Sequence, residues 1–181
     1  RLVWIDCEMG GLDPNKHPLL EVSCVVTEAN EGLDLIAEHE TMVIHHSEET
    51  INSTFSDWCK ENHAKSGLTQ RVLSSNTSLE EAETLLSQFL QKFTRQRTFI
   101  AGNTVYMDKI FLERYMPKVD AQLHYRCVDV SSVSIMCKSL NRLVYDQKPQ
   151  KLKSHRARTD IYESIQELRW YQKHFFKLLK K

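Results

Sequence analysis

Residues 2–12 read LVWIDCEMGGL. This stretch decides the fold, because an apolar run with the character of a buried strand carries two carboxylates two positions apart. Side chains alternate across a strand, so Asp6 and Glu8 point to one face and sit side by side. Like charges at that separation repel. A fold keeps such a pair where something positive lies between them, and the usual candidate is a divalent cation with oxygen ligands. The alternative is a strand end reaching water, where two acids merely face solvent. The rest of the chain must decide between these readings.

The 181 residues fit one domain, residues 1–181, large enough to bury a sizeable core without staples. Apolar content of 41% and charged content of 27% are those of an ordinary globular protein. No apolar run approaches the roughly 18 residues of a membrane span. The chain begins at Arg1 rather than Met, so the absence of a targeting segment says nothing about localisation. Five cysteines are odd in number and show no C-x-x-C pairing. Cys7, Cys24, Cys127 and Cys137 lie in apolar runs, which fits buried reduced thiols in an intracellular protein. Two glycosylation-type triplets, at Asn52 and Asn76, are then chance matches.

A net charge of zero hides an asymmetry. Residues 1–100 hold 16 acidic and 8 Lys or Arg side chains, and residues 101–181 hold 8 and 16. An acidic half can hold cations and a basic half can meet phosphates, a weak pointer to a nucleic-acid ligand.

Three strands are expected first, LVWIDCEM, LLEVSCVVTEA and LDLIAEHETMVIHH, with turn signals at GGLDPNKHP and EANEG; short connections make them antiparallel neighbours. TFSDWCKENHAKSGL reads as helix up to Gly67, a C-terminal stop. SLEEAETLLSQFLQKF places Leu79, Ala82, Leu85, Leu86, Phe89, Leu90 and Phe93 on one helical face, with Ser78 as N-cap and Glu81 three residues on. Strand TFIAGN, a helix over 105–115 ended by Pro117, strand RCVDV and helix SSVSIMCKSL then alternate. Residues 141–154 read as a basic loop, and a long helix over about 158–179 turns Ile161, Ile165, Leu168 and Phe175 inward. The expected fold is a mixed five-stranded α/β sheet, three antiparallel strands and then parallel ones, flanked by helices.

Two further acids have suggestive settings. Asp108 follows a buried strand in the first turns of the next helix, in AGNTVYMDKIFLERYMP. Asp160 begins the last helix in SHRARTDIYES, five residues after His155. Strand ends and the helix starts that follow them are where α/β sheets place their sites, so four acids can converge. Each alone reads more simply as an exposed helix-start acid favoured by the dipole, and only the joint pattern changes that.

The joint pattern, D-x-E, a helix-borne D and then H-x-A-x-x-D, resembles the DEDDh exonucleases of the ribonuclease H-like fold. WIDCEMGGLDP, DWCKENHAKSGL, AGNTVYMDKIFLERYMP, HYRCVDVSS and SHRARTDIYESIQEL, in that order across nearly all of residues 1–175, are similar to the oligoribonuclease family in its eukaryotic type. The resemblance implies a 3′-to-5′ exoribonuclease for very short RNA, located in the cytoplasm, the mitochondrion or both. It implies two metal ions: Asp6 bridging them, Glu8 and Asp160 completing one site, Asp108 supporting the other, and His155 as general base. Hard oxygen ligands suit Mg²⁺ or Mn²⁺ rather than zinc. Adjacent His45 and His46 point to opposite faces of a strand and cannot bind a metal jointly.

The same resemblance assigns the substrate site. Leu12 and Trp58, joined by His63, match positions that pack against bases, where stacking tolerates any base. Tyr125 matches a residue placed in the neighbouring subunit's active site, which implies a homodimer. Arg126, Ser131 and Thr104 match groups that cap a 5′-phosphate. The partner is short single-stranded RNA, with short DNA as an open alternative, and no membrane. Three departures bear on efficiency: Thr159 precedes Asp160 where two acids are common, Thr104 replaces a common serine, and Gly10 stands where threonine is frequent. Two rival readings are a DEDDh enzyme for longer RNA or DNA and an inert RNA-binding module. The first would need an open groove, and the second would have lost one of the five motif residues, all present here.

Overall fold

The computed structural model describes residues 1–94, 97–150 and 157–176. Strands β1 (Leu2–Met9), β2 (Leu19–Thr27) and β3 (Leu35–Val43) come first, followed by helices α1 (Glu48–Thr54), α2 (Asp57–Ser66), α3 (Leu68–Ser74) and α4 (Leu79–Phe93). Then come β4 (Thr98–Gly102), α5 (Tyr106–Tyr115), α6 (Pro117–Asp120), β5 (Leu123–Asp129), α7 (Val130–Leu140), α8 (Arg142–Asp146) and α9 (Ala157–His174). The sheet order is β3-β2-β1-β4-β5. β1–β2 and β2–β3 pair antiparallel, and β1–β4 and β4–β5 pair parallel, as a crossover through helices requires.

Strand alternation then decides what lies on each face. Val3, Ile5 and Cys7 enter the core under α4, α5 and α6, with Val22, Leu86, Phe111 and Val119. Leu2 and Trp4 enter the other layer, with Ile161, Ile165, Leu168 and Tyr171 of α9. Asp6 and Glu8 continue the Leu2–Trp4 row, so they emerge on the face that α9 covers. Each fully buried Val, Ile or Leu of these layers contributes about 1.5–3 kcal/mol.

Helix ends follow their local signals. Ser78 Oγ accepts the Glu81 amide at 3.1 Å and caps α4. Gly67, at φ 77°, ends α2 in the left-handed region that glycine enters without strain. Along α4, Ala82, Leu86, Phe89 and Leu90 are buried, whereas Leu85 turns outward.

Several expectations need correction. The helix expected over 54–67 is broken at Phe55 and Ser56, whose extended backbone separates α1 from α2, and α3 follows. Residues 141–150 are not simply a loop, because Asn141 caps the short α8 by accepting the Val144 amide at 3.2 Å. Cys127 is exposed on β5, the strand at the sheet edge, while the other four thiols are buried and all five are free. His45 and His46 lie beyond β3, and His46 Nε2 bonds the Leu19 carbonyl at 2.8 Å. Phe175 is half-buried just past α9. No described helix is long and apolar enough to cross a membrane.

Candidate active site

Three carboxylates meet where β1 leaves the sheet. Asp6, Glu8 and Asp160 offer oxygen atoms that all lie within 4.8 Å of one another. The first two arrive by strand alternation, and the third by the packing of the α9 first turn on the same face. Asp108 is brought alongside by a different route. The chain leaves β4, turns into α5, and the Asp108 Oδ1 accepts the Cys7 amide at 2.8 Å, pinning it to the backbone between Asp6 and Glu8.

A carboxylate that sequence reading does not single out completes the electrostatics. Glu21 on β2 is the antiparallel partner of Glu8 and is 1% exposed. Arg71 of α3 pairs with it, and its other oxygen faces the Ala157 amide at 3.4 Å, at the start of α9. The sequence signal was an acid inside the apolar run LLEVSCVV; its meaning needed the strand register.

Acids crowded this closely, half-buried at Asp6, Glu8 and Asp160 and buried at Asp108 and Glu21, resist ionising together. Burial, reinforced by Asp108, Glu8, Asp160 and Glu21, holds the Asp6 carboxyl well above the usual range. Glu8 is pushed up to about 8, by burial first and then by Glu21, Asp160 and Asp108, with Arg71 pulling the other way. Asp108 is raised to about 7 by burial, against the opposing Cys7 hydrogen bond. A divalent cation relieves this repulsion, and the all-oxygen donor set fits Mg²⁺ or Mn²⁺. Asp6 and Glu8 thus belong to a cluster of oxygen donors suited to hold a cation.

Around this centre, Leu12 and Trp58 are exposed on the β1–β2 loop and on α2, whose start is tied to that loop by the Ser56 amide and Gly10 carbonyl at 2.8 Å. His63 does not form an exposed wall. It is buried edge-on to Phe55, with Nε2 against the Met9 carbonyl at 2.9 Å, so it supports the end of β1 from behind. Thr104 sits in the left-handed region at φ 55°, uncommon for a β-branched residue. Asp129 Oδ1 holds it there by accepting its amide at 3.0 Å and the Ser131 amide at 2.8 Å. The Thr104 and Ser131 hydroxyl oxygens are 3.1 Å apart.

Tyr125 and Arg126 stand exposed on β5, with β4 between them and β1. Tyr125 stacks on His124 with centroids 4.4 Å apart, and the Arg126 guanidinium lies 5.3 Å over its ring. No hydrogen bond among the described residues joins that guanidinium to the Thr104 or Ser131 hydroxyl. His155 lies outside the described residues.

The sheet order and the carboxylate cluster define the class: a ribonuclease H-like fold with an acidic site at the end of its first strand. A family model described as "Exonuclease", RNase_T, matches residues 3–168. The mitochondrial oligoribonuclease of Homo sapiens is 43% identical over 98% of this chain and 74% of its own length. The probable oligoribonuclease of Dictyostelium discoideum is 44% identical over 98% and 91%, and the oligoribonuclease of Chromobacterium violaceum 39% over 98% and 96%. The chain belongs to the oligoribonuclease family of exonucleases. Among solved structures, E. coli exonuclease I in complex with a dT13 oligonucleotide superposes with a TM-score of 0.72 at 15% identity. That match covers 99% of this chain and 42% of exonuclease I, and it speaks for the fold alone.

Proposed function

We propose that this protein is a 3′-to-5′ exoribonuclease that hydrolyses very short RNA, dinucleotides and slightly longer, to 5′-mononucleotides. The observation that carries this reading is the convergence of Asp6, Glu8 and Asp160, with Asp108 beside them, in a chain so similar to named oligoribonucleases. Asp6, Glu8 and Asp160 would hold one Mg²⁺ or Mn²⁺, and Asp6 with Asp108 a second. Bound there, the ions would make water nucleophilic at neutral pH and stabilise charge on the leaving 3′ oxygen.

The chain's own groups do the rest. His155, five residues before Asp160, takes the proton of the attacking water, a task suited to an imidazole. Leu12 and Trp58 stack against bases without reading them. Thr104, Ser131 and Arg126 receive the 5′-phosphate, so the space between the two ends measures substrate length. Tyr125, exposed on an edge strand, enters the site of a second copy in a homodimer. Residues 1–181 act as one exonuclease domain, in the mitochondrion, the cytoplasm or both; the human relative is named mitochondrial.

The deciding assay uses end-labelled RNAs of two to about ten nucleotides with and without Mg²⁺, and short DNA as a comparison. The dinucleotide should be cleaved fastest and only with the ion. Faster cleavage of the longer RNAs would replace this reading with that of a general exonuclease.

A further inference from the structure

A carboxylate in an apolar layer is costly unless it is fully satisfied. Glu167 of α9 is 1% exposed, and its Oε1 accepts from Lys148 Nζ at 2.8 Å and lies 3.0 Å from the Tyr171 hydroxyl. Its Oε2 accepts from Asn103 Nδ2 at 3.2 Å. The same Nδ2 donates to Ser131 Oγ at 3.3 Å, and Ser131 Oγ is 3.1 Å from Thr104 Oγ1. A continuous polar chain therefore runs from a buried charge to the two hydroxyls assigned above to the 5′-phosphate.

The chain has a direction. An ionised carboxylate only accepts, so Glu167 turns the NH₂ of Asn103, not its oxygen, toward itself and toward Ser131. Ser131 Oγ is then an acceptor on its inner side. Of the two hydroxyl protons on Ser131 and Thr104, one bridges the pair and the other is left to point outward. We infer that Glu167 and Asn103 are positioning residues that set this polarity, making the hydroxyl pair a donor toward a substrate's terminal phosphate; the inference rests on the reading of Ser131 and Thr104 given above.

Glu167→Gln preserves shape and inverts the relay. Lys148 only donates, so the new amide oxygen faces it and the new NH₂ faces Asn103. Asn103 must flip, its oxygen captures the Ser131 proton, and one proton remains to serve both bridge and ligand. The test is equilibrium binding of 5′-phosphorylated and 5′-hydroxyl RNA dinucleotides to the full chain, wild type and variant, with Ca²⁺ in place of Mg²⁺. The phosphorylated form should bind roughly ten- to a hundredfold more weakly to the variant, the scale of one charged hydrogen bond, and the hydroxyl form should change less than about twofold. In turnover the same loss appears in KM, with kcat held.

Equal losses for both dinucleotides would make Glu167 a merely structural residue, and no loss would show that the relay's polarity is irrelevant. A wild-type protein that does not distinguish the two dinucleotides would instead overturn the 5′-phosphate reading, and the inference with it. Should the variant not fold, the wild type still decides. Both protons of the Asn103 amide are held by oxygens, so they should exchange in D₂O far more slowly than those of exposed Gln147. Equal exchange rates overturn the relay.

Discussion

At the scale of single residues, Asp6 stands where the repulsion is concentrated, facing Glu8, Asp160 and Asp108 in a half-buried cluster. Asp6→Asn keeps the shape and removes the charge that would balance two cations. Turnover should fall by far more than the roughly 100-fold typical of outer-shell changes at metal sites, measured at saturating Mg²⁺. Substantial residual activity would remove Asp6 from the metal site. Without metal the same variant should melt at a higher temperature than wild type, because the remaining acids lose a like-charged neighbour. A structural role for Asp6 predicts the opposite shift. Glu21 and Arg71 show how the cluster is held: a buried acid paired with a cation from α3 stands behind Glu8 and at the start of α9.

At the scale of elements, the β1–β2 loop and the β5 edge each carry an expectation. At Gly10 the surroundings leave no room for a side chain. A Cβ at Gly10 would lie 2.8 Å from Pro18 Cδ and 2.9 Å from Phe55 Cδ1. Gly10→Ala should therefore destabilise the fold by about 1–3 kcal/mol, the usual scale of overpacking, read as a lower urea midpoint at unchanged slope. An unchanged midpoint would mean that α1 and the loop yield freely. On β5, which ends the sheet among the described residues, exposed Tyr125 suits pairing with another copy. If Tyr125 acts across subunits, mixing Tyr125→Ala with Asp108→Ala subunits should restore activity, since one site of the heterodimer keeps both groups. Mixtures that form heterodimers yet stay inactive would place Tyr125 within its own chain or outside the reaction.

For the whole molecule, the raised carboxyl groups link stability to pH and metal. Burial and the neighbouring acids push the Glu8 carboxyl from 4.5 up to about 8, and burial pushes that of Asp108 from 3.8 up to about 7. Between those values the native chain binds more protons than the unfolded one, so stability falls as pH rises. Their contribution is complete below about 4 and lost on passing through about 7 to 8. In EDTA, the melting temperature should fall between about pH 5 and 8, and Mn²⁺ should raise it more at the upper end, where ligands need no deprotonation. A metal-free melting temperature that climbs across this range would mean that the acids are ionised at no cost, contrary to their burial.

Much of this was readable in local pattern. Alternation along LVWIDCEM places Asp6 and Glu8 on one face, and a 3.6-residue period with Ser78 and Glu81 at its head marks α4, because both signals are set by backbone geometry within a few residues. The mixed sheet follows from short connections early and crossovers late. What the sequence could not determine depends on contacts between distant segments. Strand pairing sets Glu21 opposite Glu8, the place of β5 at the sheet edge exposes Cys127, and helix packing gathers Asn103, Ser131, Lys148 and Glu167 from separate elements. No local periodicity encodes such meetings, because a buried charge is placed by the partners that the closed fold brings to it.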